Sequence, residues 1–398
     1  MRWAAAPRRH VVFVQYGDYR ETVLRFEAGG DETYNSQRHS VEHAASLLEG
    51  GDVTVICLPA PPGDEVLPNG VRAIGLGRYR RSQSLVLCAY LEKLRPTHLL
   101  VVTPHLPAIA LGVARGARVL PLFADSFGQR LSLRGRWERT ALVRLLNSPA
   151  IDFVANHNIP ASTDLARIGV APEKILPWDW PPQNRPQDWP AKTFPDREGP
   201  LKIFFAGAVS EAKGVGDLIR AIPLLRASGR AVEVTIAGDG ENRAMEEMAR
   251  SLGVTAETRF LGRIPQREVF HQMRIHDLVV VPSRHEYPEG LPMTTYEALA
   301  SRTPLLISDH PMMVGALGNQ VGVTVFPASS PEALARAVLG IGNDRQRYEE
   351  SSQRSVEAWL SIQVPLTRSE LIDRWLDSRP ERRLELSRHT LSSIRAAA

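Results

Sequence analysis

The chain has 398 residues, and its 43% hydrophobic, 7% aromatic and 23% charged side chains are ordinary for a soluble globular protein long enough for two domains. The net charge of +4 is uneven, because residues 1–150 hold 19 Lys and Arg against 13 Asp and Glu. The two cysteines are isolated, which argues against a disulfide framework. No apolar run is long enough to span a membrane, which argues against a membrane-embedded chain. We therefore expect a cytoplasmic protein, at most peripheral at the inner membrane face.

Short apolar runs alternate with helical patterns along the chain. In order, the runs are HVVFVQ, DVTVICL, THLLVVT, RVLPLFAD and DFVANH in the first half, then LKIFFAG, VEVTIAGD, TRFLG, DLVVVPS, PLLISD and GVTVF. Many are continuous in Val, Ile and Leu, as strands are when both faces of a parallel sheet are covered. Helical patterns such as GVGDLIRAIPLLRASG lie between them and end on glycine. This alternation predicts an α/β protein with parallel sheets.

A proline-rich segment divides the two halves. Seven prolines without helical or strand periodicity lie between Pro177 and Pro200, which indicates a stiff, extended linker. We therefore predict a Rossmann-like domain at 1–176, a linker at 177–200 and a second Rossmann-like domain at 201–365. The remainder, 366–398, is a C-terminal helical segment, for which a return to the first domain is one arrangement.

The first half also carries the densest basic stretch, GQRLSLRGRWERTALVRLL. It contains Arg130, Arg134, Arg136, Arg139 and Arg144. A solvated helix face is one interpretation, and a surface for an anionic partner is the other. Among such partners we expect a membrane surface or an acidic acceptor rather than nucleic acid.

Two strand-to-helix turns of the second half can approach a ligand. Gly207 ends the run LKIFFA, and Lys213 then precedes a helix whose first amides could share an anion with the lysine. A surface lysine beside an ordinary turn is the alternative. After VEVTIA, Gly238 and Gly240 lack the third glycine of a dinucleotide fingerprint, which counts against a NAD-dependent dehydrogenase.

Two carboxylates flank the start of the helix predicted after DLVVVP. Glu289 precedes this helix, Pro292 fits its first position, and Glu297 lies about two turns later. Between them, Gly290 and Leu291 can offer backbone N–H groups to a phosphate. This layout suits a nucleotide-sugar, which has a hydroxyl-rich head, a diphosphate and a second hydroxyl-rich part. A capped helix with solvated carboxylates is the alternative.

In combination these motifs resemble glycosyltransferase family 4, the retaining, nucleotide-sugar-dependent transferases with the GT-B fold. The motifs are Gly29-Gly30 with ETY, GVAPEKILPW, AGAVSEAKG, AGDG, RFLGRIP and DLVVVPSRHEYPEGLPMTTYEALASRTPLL. The resemblance is close from about 200 to 325 and looser from about 10 to 180. It implies two Rossmann-like domains whose parallel sheets face each other across a cleft.

The resemblance also implies a role for individual residues. Glu289 would hold hydroxyls of the donor sugar, Glu297 would bind the ribose hydroxyls, and Lys213 would neutralise the departing diphosphate. The donor-binding set that it implies is Gly29, Gly30, Gly207, Lys213, Gly262, Arg263, Glu289, Gly290, Leu291, Pro292 and Glu297. In this set the two glycines of the first domain approach the diphosphate, and the base lies near the turn at Gly262.

The sequence departs from the family pattern at two positions. Ala208 stands where members usually carry an arginine for the diphosphate, and Arg263 or an arginine of the first domain is a candidate substitute. Ala124 stands where a histidine is common. This leaves Asp125 and, at another strand end, His105 as candidates on the acceptor side, with a structural role as the alternative for His105.

We therefore predict a retaining glycosyltransferase that moves a sugar from a nucleoside-diphosphate-sugar, with UDP-sugars favoured, to an acceptor hydroxyl. Glu289 and Lys213 are its candidate catalytic residues, and the acceptor is a glycan, a lipid-linked molecule or a small molecule. We expect no metal or other cofactor, since His39 and His43 share a helix face without a third ligand. The alternatives are an epimerase or phosphorylase of the same fold, and a non-catalytic nucleotide-sugar-binding protein.

Overall fold

The computed structural model describes residues 8–77, 83–127, 132–195 and 199–397, without the side chains at 133, 134 and 397. Arg130 and the Arg134 side chain of the basic stretch lie outside this description. The described chain forms two compact units: unit 1 comprises residues 8–32, 36–181 and 364–397, and unit 2 comprises 33–35 and 182–363. Within these residues, no helix combines the length and apolarity needed to cross a bilayer.

Unit 1 is built on a sheet of eight described strands. In chain order they are β1 (Arg9–Gln15), β2 (Gly51–Cys57), β3 (Gly63–Val66), β4 (Arg72–Gly75), β5 (His98–Val101), β6 (Arg118–Phe123), β7 (Val154–His157) and β8 (Ile175–Trp178). Its first helices are α1 (Tyr19–Glu27), α2 (Gln37–Ser46), α3 (Gln83–Leu94), α4 (Leu106–Arg115), α5 (Leu133–Leu146) and α6 (Ile159–Arg167), with 3₁₀ turns at Leu47–Gly50 and Pro172–Lys174. The strand order is β3-β4-β2-β1-β5-β6-β7-β8, parallel except for the β3–β4 pair.

Strand β1 illustrates why this sheet is buried on both faces. Val11 and Phe13 belong to one hydrophobic cluster, and Val12 and Val14 belong to another. All four side chains are at most 2% exposed. The continuous apolar run therefore fits a central strand of a parallel sheet covered by helices on both sides, as predicted.

The strands of unit 1 differ from the sequence-based expectation in two places. The hairpin β3–β4 was missed because its strands are four residues each and β3 reads GDEV, which is mostly exposed. Strand β8 includes Pro177 and Trp178, which were assigned to the linker. Proline is tolerated there because β8 is an edge strand whose outer side needs no N–H donor.

Unit 2 contains a second sheet of six described strands, all parallel. They are β9 (Leu201–Ala206), β10 (Val232–Ala237), β11 (Thr258–Gly262), β12 (Leu278–Val281), β13 (Leu305–Ser308) and β14 (Val323–Phe326). The helices are α7 (Val215–Ala227), α8 (Asn242–Ser251), α9 (Gln266–Ile275), α10 (Met293–Ala300), α11 (Pro311–Leu317), α12 (Pro331–Gly342) and α13 (Arg345–Ser361), preceded by a 3₁₀ turn at Pro186–Asp188. The strand order β11-β10-β9-β12-β13-β14 reverses between β9 and β12.

The last helices return to unit 1. They are α14 (Arg368–Leu376), α15 (Pro380–Ser387) and α16 (Leu391–Ala397). The backbone N–H of Asp179 donates to Leu366 O (3.1 Å), and that of Arg368 donates to Asp179 O (2.9 Å). A capping box of Thr367 and Glu370 sets the start of α14. Trp375 on this helix is fully buried in the core of unit 1.

Candidate active site

The candidate donor residues of unit 2 gather at the carboxyl ends of its central strands. The loop after β9 carries Lys213, and the loop after β12 carries Glu289. Because β9 and β12 are neighbours where the strand order reverses, both loops leave the sheet at its topological switch point. Ligands of open α/β sheets bind at this position.

Gly214 brings these two loops together. Its φ is +78°, and a Cβ at this position would lie 2.0 Å from the carbonyl oxygen of Pro282. Only glycine fits this approach without displacing the backbone. The N–H of Arg284 also donates to Ala212 O (2.9 Å). The segment that holds Lys213 therefore lies directly against the start of the Glu289 loop.

Lys213 and Glu289 are in direct contact. The ammonium group binds the carboxylate oxygen Oε2, and both side chains are only 9% exposed. Ser283 Oγ donates to the same oxygen (2.8 Å). Lys213 Nζ also lies 4.7 Å from the ring centroid of Tyr287, whose hydroxyl pKa is raised by burial and by the charge of Glu289. The arrangement keeps one positive and one negative charge out of water at the switch point.

Gly290, Leu291 and Pro292 form the approach to α10. The helix begins at Met293, so Pro292 is its N-cap rather than its first residue. Leu291 is 2% exposed and anchors the loop, whereas a Cβ on Gly290 would meet no atom within 4 Å. Because no side chain caps this helix, its N-terminal dipole and amides can attract an anion.

Glu297 lies within α10 and has partners of its own. Its carboxylate accepts hydrogen bonds from Gln266 Nε2 and from Asn35 Nδ2 (3.0 Å), and the residue is 6% exposed. Asn35 belongs to the short stretch that groups with unit 2. Glu289 and Glu297 therefore have different hydrogen-bond partners, which is compatible with contacts to different parts of one ligand.

The turns after β9, β10 and β11 are packed against each other. The N–H of Gly238 donates to Gly262 O (2.8 Å), and a Cβ on Gly238 would lie 1.7 Å from Gly207 O. Arg263 forms an ion pair with Asp239 (2.9 Å), and the two side chains are 60% and 58% exposed. Arg263 was a candidate to replace the missing arginine that contacts the diphosphate. The structure places the carboxylate of Asp239 beside it, and this carboxylate competes with a phosphate for the guanidinium group.

An arginine clamp joins the two loops that carry Lys213 and Glu289. We give this name to Arg284, Asp217 and Glu211. Arg284 binds both oxygens of Asp217 (2.8 and 2.7 Å) and Oε1 of Glu211 (2.6 Å). Asp217 is 3% exposed, and its hydrogen bonds raise the pKa of Arg284. Arg220 reaches the same two carboxylates from within α7, so it adds charge without linking the loops.

Histidines hold the other side of the Glu289 loop. His310 Nδ1 accepts from the N–H of Met312, so Nε2 is the nitrogen that donates to Tyr287 O (3.1 Å). Burial lowers the pKa of His310, which favours this neutral form. His285 Nε2 contacts Asp309 Oδ1 (2.7 Å). The loop is thus fixed to the loop after β9 and the start of α7 by the clamp, and to the end of β13 by these contacts.

Gly29 and Gly30 end α1 in unit 1. Gly29 has φ +77°, and the N–H groups of Gly29 and Gly30 donate to Phe26 O and Arg25 O. These are C-terminal capping contacts of a helix that the sequence analysis did not identify. The two glycines therefore follow one helix as well as preceding another.

The candidate acceptor-side residues lie at two strand ends of unit 1. His105 caps α4, with Nδ1 accepting from Ala108 N–H (3.2 Å) and Nε2 near Ser84 Oγ (3.0 Å). These contacts show that His105 caps α4, and its role on the acceptor side stays a prediction. Asp125 follows β6, its N–H donates to Asn156 Oδ1 (3.2 Å), and burial raises its carboxyl pKa to about 6. A carboxyl with this pKa can exchange a proton near neutral pH.

The paired histidines of α2 have protein partners. His39 Nε2 contacts Ser369 Oγ (3.0 Å), and His43 Nε2 contacts Asp373 Oδ1 (2.9 Å). In the part of the chain that the structure describes, no three His, Cys, Asp or Glu side chains are arranged to hold a metal ion. The pair joins α2 to α14.

Sequence reasoning missed the residues that orient the two site carboxylates. Ser283 and Arg284 directly follow a buried strand, and polar residues at that position of a parallel sheet are a signal that could have identified them. Gln266 begins α9, and no local pattern distinguishes it from an ordinary surface glutamine. Thr294 Oγ1 donates to Ala206 O (3.1 Å) and ties α10 to the end of β9.

Residues 190–357 match the family model of the glycosyl transferases group 1. Glycogen synthase from Mycobacterium tuberculosis is 29% identical over 214 residues, which cover 51% of this chain and 50% of that protein. D-inositol 3-phosphate glycosyltransferase from Nocardia farcinica is 33% identical over 166 residues, 39% of this chain and 35% of that protein. The chain spans about half, or less, of the length of these curated relatives.

The fold of the chain is also found among solved structures. HepE from Anabaena in complex with UDP-glucose aligns with a TM-score of 0.63 over 98% of this chain and 100% of that chain, at 12% identity. At this identity the likeness shows the fold alone, which is GT-B, as predicted. Residues 190–357 therefore resemble the glycosyl transferases group 1, and the chain as a whole shares the fold of HepE.

Proposed function

We propose that the protein is a retaining glycosyltransferase that moves a sugar from a nucleoside diphosphate to an acceptor hydroxyl. The observation that carries the proposal is the contact of Lys213 with Glu289 at the switch point, beside the start of α10 and inside the group 1 domain. UDP-sugars are the favoured donors, and a structural neighbour solved with UDP-glucose supports that choice.

Each part of the donor has a candidate partner in unit 2. The diphosphate is held by Lys213 and by the amides of Gly290 and Leu291 at the start of α10. Glu289 accepts hydrogen bonds from the sugar hydroxyls, and Glu297 accepts them from the ribose. The base lies near the turns after β10 and β11.

The transfer step needs no protein nucleophile. The bond between the sugar C1 and the β-phosphate oxygen breaks as the acceptor oxygen bonds to C1 on the same face. The acceptor proton passes to the departing phosphate oxygen, so the configuration at C1 is retained. Lys213 balances the charge that develops on the diphosphate.

The same residues remove the need for a metal ion. Lys213 and the N-terminus of α10 supply positive charge where the diphosphate departs, which is the role that a divalent cation has in other phosphate chemistry. We expect the transfer rate to be unchanged by EDTA.

The acceptor is a hydroxyl on a glycan, a lipid-linked molecule or a small molecule. Arg136 and Arg144 on α5 are exposed, and Trp137 between them is 70% exposed. Basic and aromatic side chains of this kind bind the headgroup region of anionic membranes, which supports a peripheral location at the inner membrane face.

Trp137→Ala should bind phosphatidylglycerol vesicles more weakly than wild type. Equal binding by the variant and wild type would contradict a membrane contact through Trp137.

The proposal is tested first by donor binding and then by transfer. A thermal-shift screen of nucleotide-sugars should find a donor that raises Tm. With that donor, free nucleoside diphosphate should appear only when an acceptor is added. Lys213→Ala and Glu289→Ala should lower this release at least about 100-fold with the fold retained. Glu286→Gln, at a 60% exposed carboxylate of the same loop, is the matched control.

A binding protein without activity is the second candidate, because Ala208 and Ala124 replace two residues that the family usually carries. It predicts donor binding with no transfer to any acceptor. Conversion of the donor sugar without an acceptor would instead favour an epimerase, and phosphate-dependent cleavage of a glycan would favour a phosphorylase.

A further inference from the structure

The cation and the carboxylate of the proposed site neutralise each other. Lys213 binds Glu289, and both side chains are 9% exposed. Among the described residues, the hydrogen bonds to the Glu289 carboxylate come from Lys213 and from Ser283 Oγ (2.8 Å). If a ligand draws Lys213 away from Glu289, Ser283 is therefore the one described residue that still donates a hydrogen bond to the Glu289 carboxylate.

A nucleoside diphosphate and a nucleotide-sugar must affect this pair differently. Both carry a diphosphate that attracts Lys213. The bare nucleoside diphosphate offers nothing to Glu289, so a buried carboxylate loses its counter-charge, which opposes binding. The nucleotide-sugar brings hydroxyl groups that can donate to Glu289 in place of Lys213. The loss of the ion pair is then compensated within the complex.

We propose that Glu289 competes for Lys213 and thereby makes the protein select the sugar-bearing nucleotide over the bare nucleoside diphosphate. This inference rests on the function proposed above for the two residues. After transfer, the sugar hydroxyls leave with the product, and Glu289 binds Lys213 again. The competition therefore weakens the hold on the nucleoside diphosphate product and favours its release.

The competition predicts a gain of affinity in a variant that lacks the charge. Wild type, Glu289→Gln, Ser283→Ala and the control Glu286→Gln are titrated by calorimetry with UDP, GDP and ADP and with their glucose conjugates. Whichever of UDP, GDP and ADP binds to wild type should bind about tenfold more tightly to Glu289→Gln. Its preference for the glucose conjugate should fall by at least the same factor. A misfolded variant cannot produce such a gain.

Ser283→Ala should change the affinity in the opposite direction. It removes the donor that remains when Lys213 leaves, so the bare diphosphate should bind about three- to tenfold more weakly than to wild type. Glu286→Gln should match wild type for every ligand.

The outcomes separate this inference from the function on which it rests. Equal or weaker binding of the diphosphate by Glu289→Gln, with wild type still binding it, contradicts the competition and leaves the proposed function intact. If wild type binds none of the six ligands, the proposed function and the competition both fail.

Discussion

Glu289, Glu297 and Lys213 are charged residues that are each at most 7% exposed. Removing a charge from water is unfavourable unless partners compensate for it, and a buried ion pair adds little to stability relative to apolar residues. Selection for stability alone does not account for three such residues at one sheet edge. Their placement fits the ligand proposed above, which carries both hydroxyls and negative charge.

The local sequence singles out these residues as candidates, but it does not show that Lys213 contacts Glu289. Carboxylates and a lysine after buried strands can be recognised from the local pattern, since parallel strands present such loops at one edge. The contact between Lys213 and Glu289 joins residues 76 positions apart and depends on β9 and β12 being neighbours. The hydrogen bonds of Gln266 and Ser283 depend on the same packing, so no local pattern could have predicted them.

Asp125 should make stability depend on pH. Burial raises its carboxyl pKa from about 3.8 to about 6, so between these values the folded state binds more protons than the unfolded state. Its contribution therefore falls as pH rises through this window. Asp125→Asn should match wild type near pH 4 and be more stable by about 1–3 kcal/mol at pH 7.5. Thermal unfolding at both pH values checks this.

The control for Asp125 is Asp52→Asn, at a mostly exposed carboxylate of the same unit. Because this side chain is mostly exposed, the substitution should leave the free energy of unfolding near that of wild type. An Asp125→Asn variant that is less stable than wild type at pH 7.5 would contradict the effect of burial.

Two glycines beside the site should respond differently to alanine. Gly214→Ala places a Cβ 2.0 Å from Pro282 O at a φ of +78°, so we expect a loss of about 3 kcal/mol or more in the free energy of unfolding. Gly290→Ala meets no atom within 4 Å and should change it by less than about 0.5 kcal/mol. Denaturant unfolding of both variants measures the difference, and equal losses would contradict the close approach of the two loops.

Among the strands and helices, every apolar run predicted as a strand is a strand. The short or polar strands and helices were missed. Strands such as β1 and β12 are buried on both faces, so their sequence is recognisable without tertiary information. The edge strand β3 has no apolar run, and β8 contains a proline that is accepted only at an edge. Their pairing is decided by neighbouring strands rather than by local sequence.

Loss of the arginine clamp should lower kcat/KM for the donor and not only the free energy of unfolding. Arg284→Gln leaves the buried Asp217 with Arg220 at 3.5 Å and removes the arginine link between the Glu289 loop and the Lys213 loop. We expect kcat/KM for the donor to fall about 10- to 100-fold, because catalytic groups lose their relative position. Arg284→Lys should restore little, since lysine cannot form the bidentate pair.

The matched control for the clamp is Arg220→Gln. It removes a cation from the same two carboxylates without breaking the link between the loops, so kcat/KM should change less than about threefold. If Arg220→Gln and Arg284→Gln lower kcat/KM equally, the charge of the cluster matters and the link between the loops does not.

In the molecule as a whole, helix α14 of the C-terminal segment packs in the hydrophobic core of unit 1. Leu371, Ile372 and Trp375 of α14 pack in the same cluster as Val11 and Phe13 of β1. Residues more than 350 positions apart therefore share one core, and unit 1 includes both ends of the described chain.

Trp375→Ala should weaken unit 1 selectively. The side chain is fully buried, and its removal should lower the free energy of unfolding by about 3–5 kcal/mol. Calorimetry should show the transition of unit 1 at a lower temperature and that of unit 2 unchanged. Trp137→Ala, at a 70% exposed position, is the control and should leave both transitions in place.

We expect the nucleotide-sugar to bind at the carboxyl ends of β9 and β12. Hydrogen–deuterium exchange with and without the nucleotide-sugar that raises Tm most tests it directly. Protection in unit 2 should be concentrated at residues 207–214 and 283–297, and Lys213→Ala should lose it. If exchange in both segments stays unchanged while the donor is bound, the donor does not bind at this edge of the sheet.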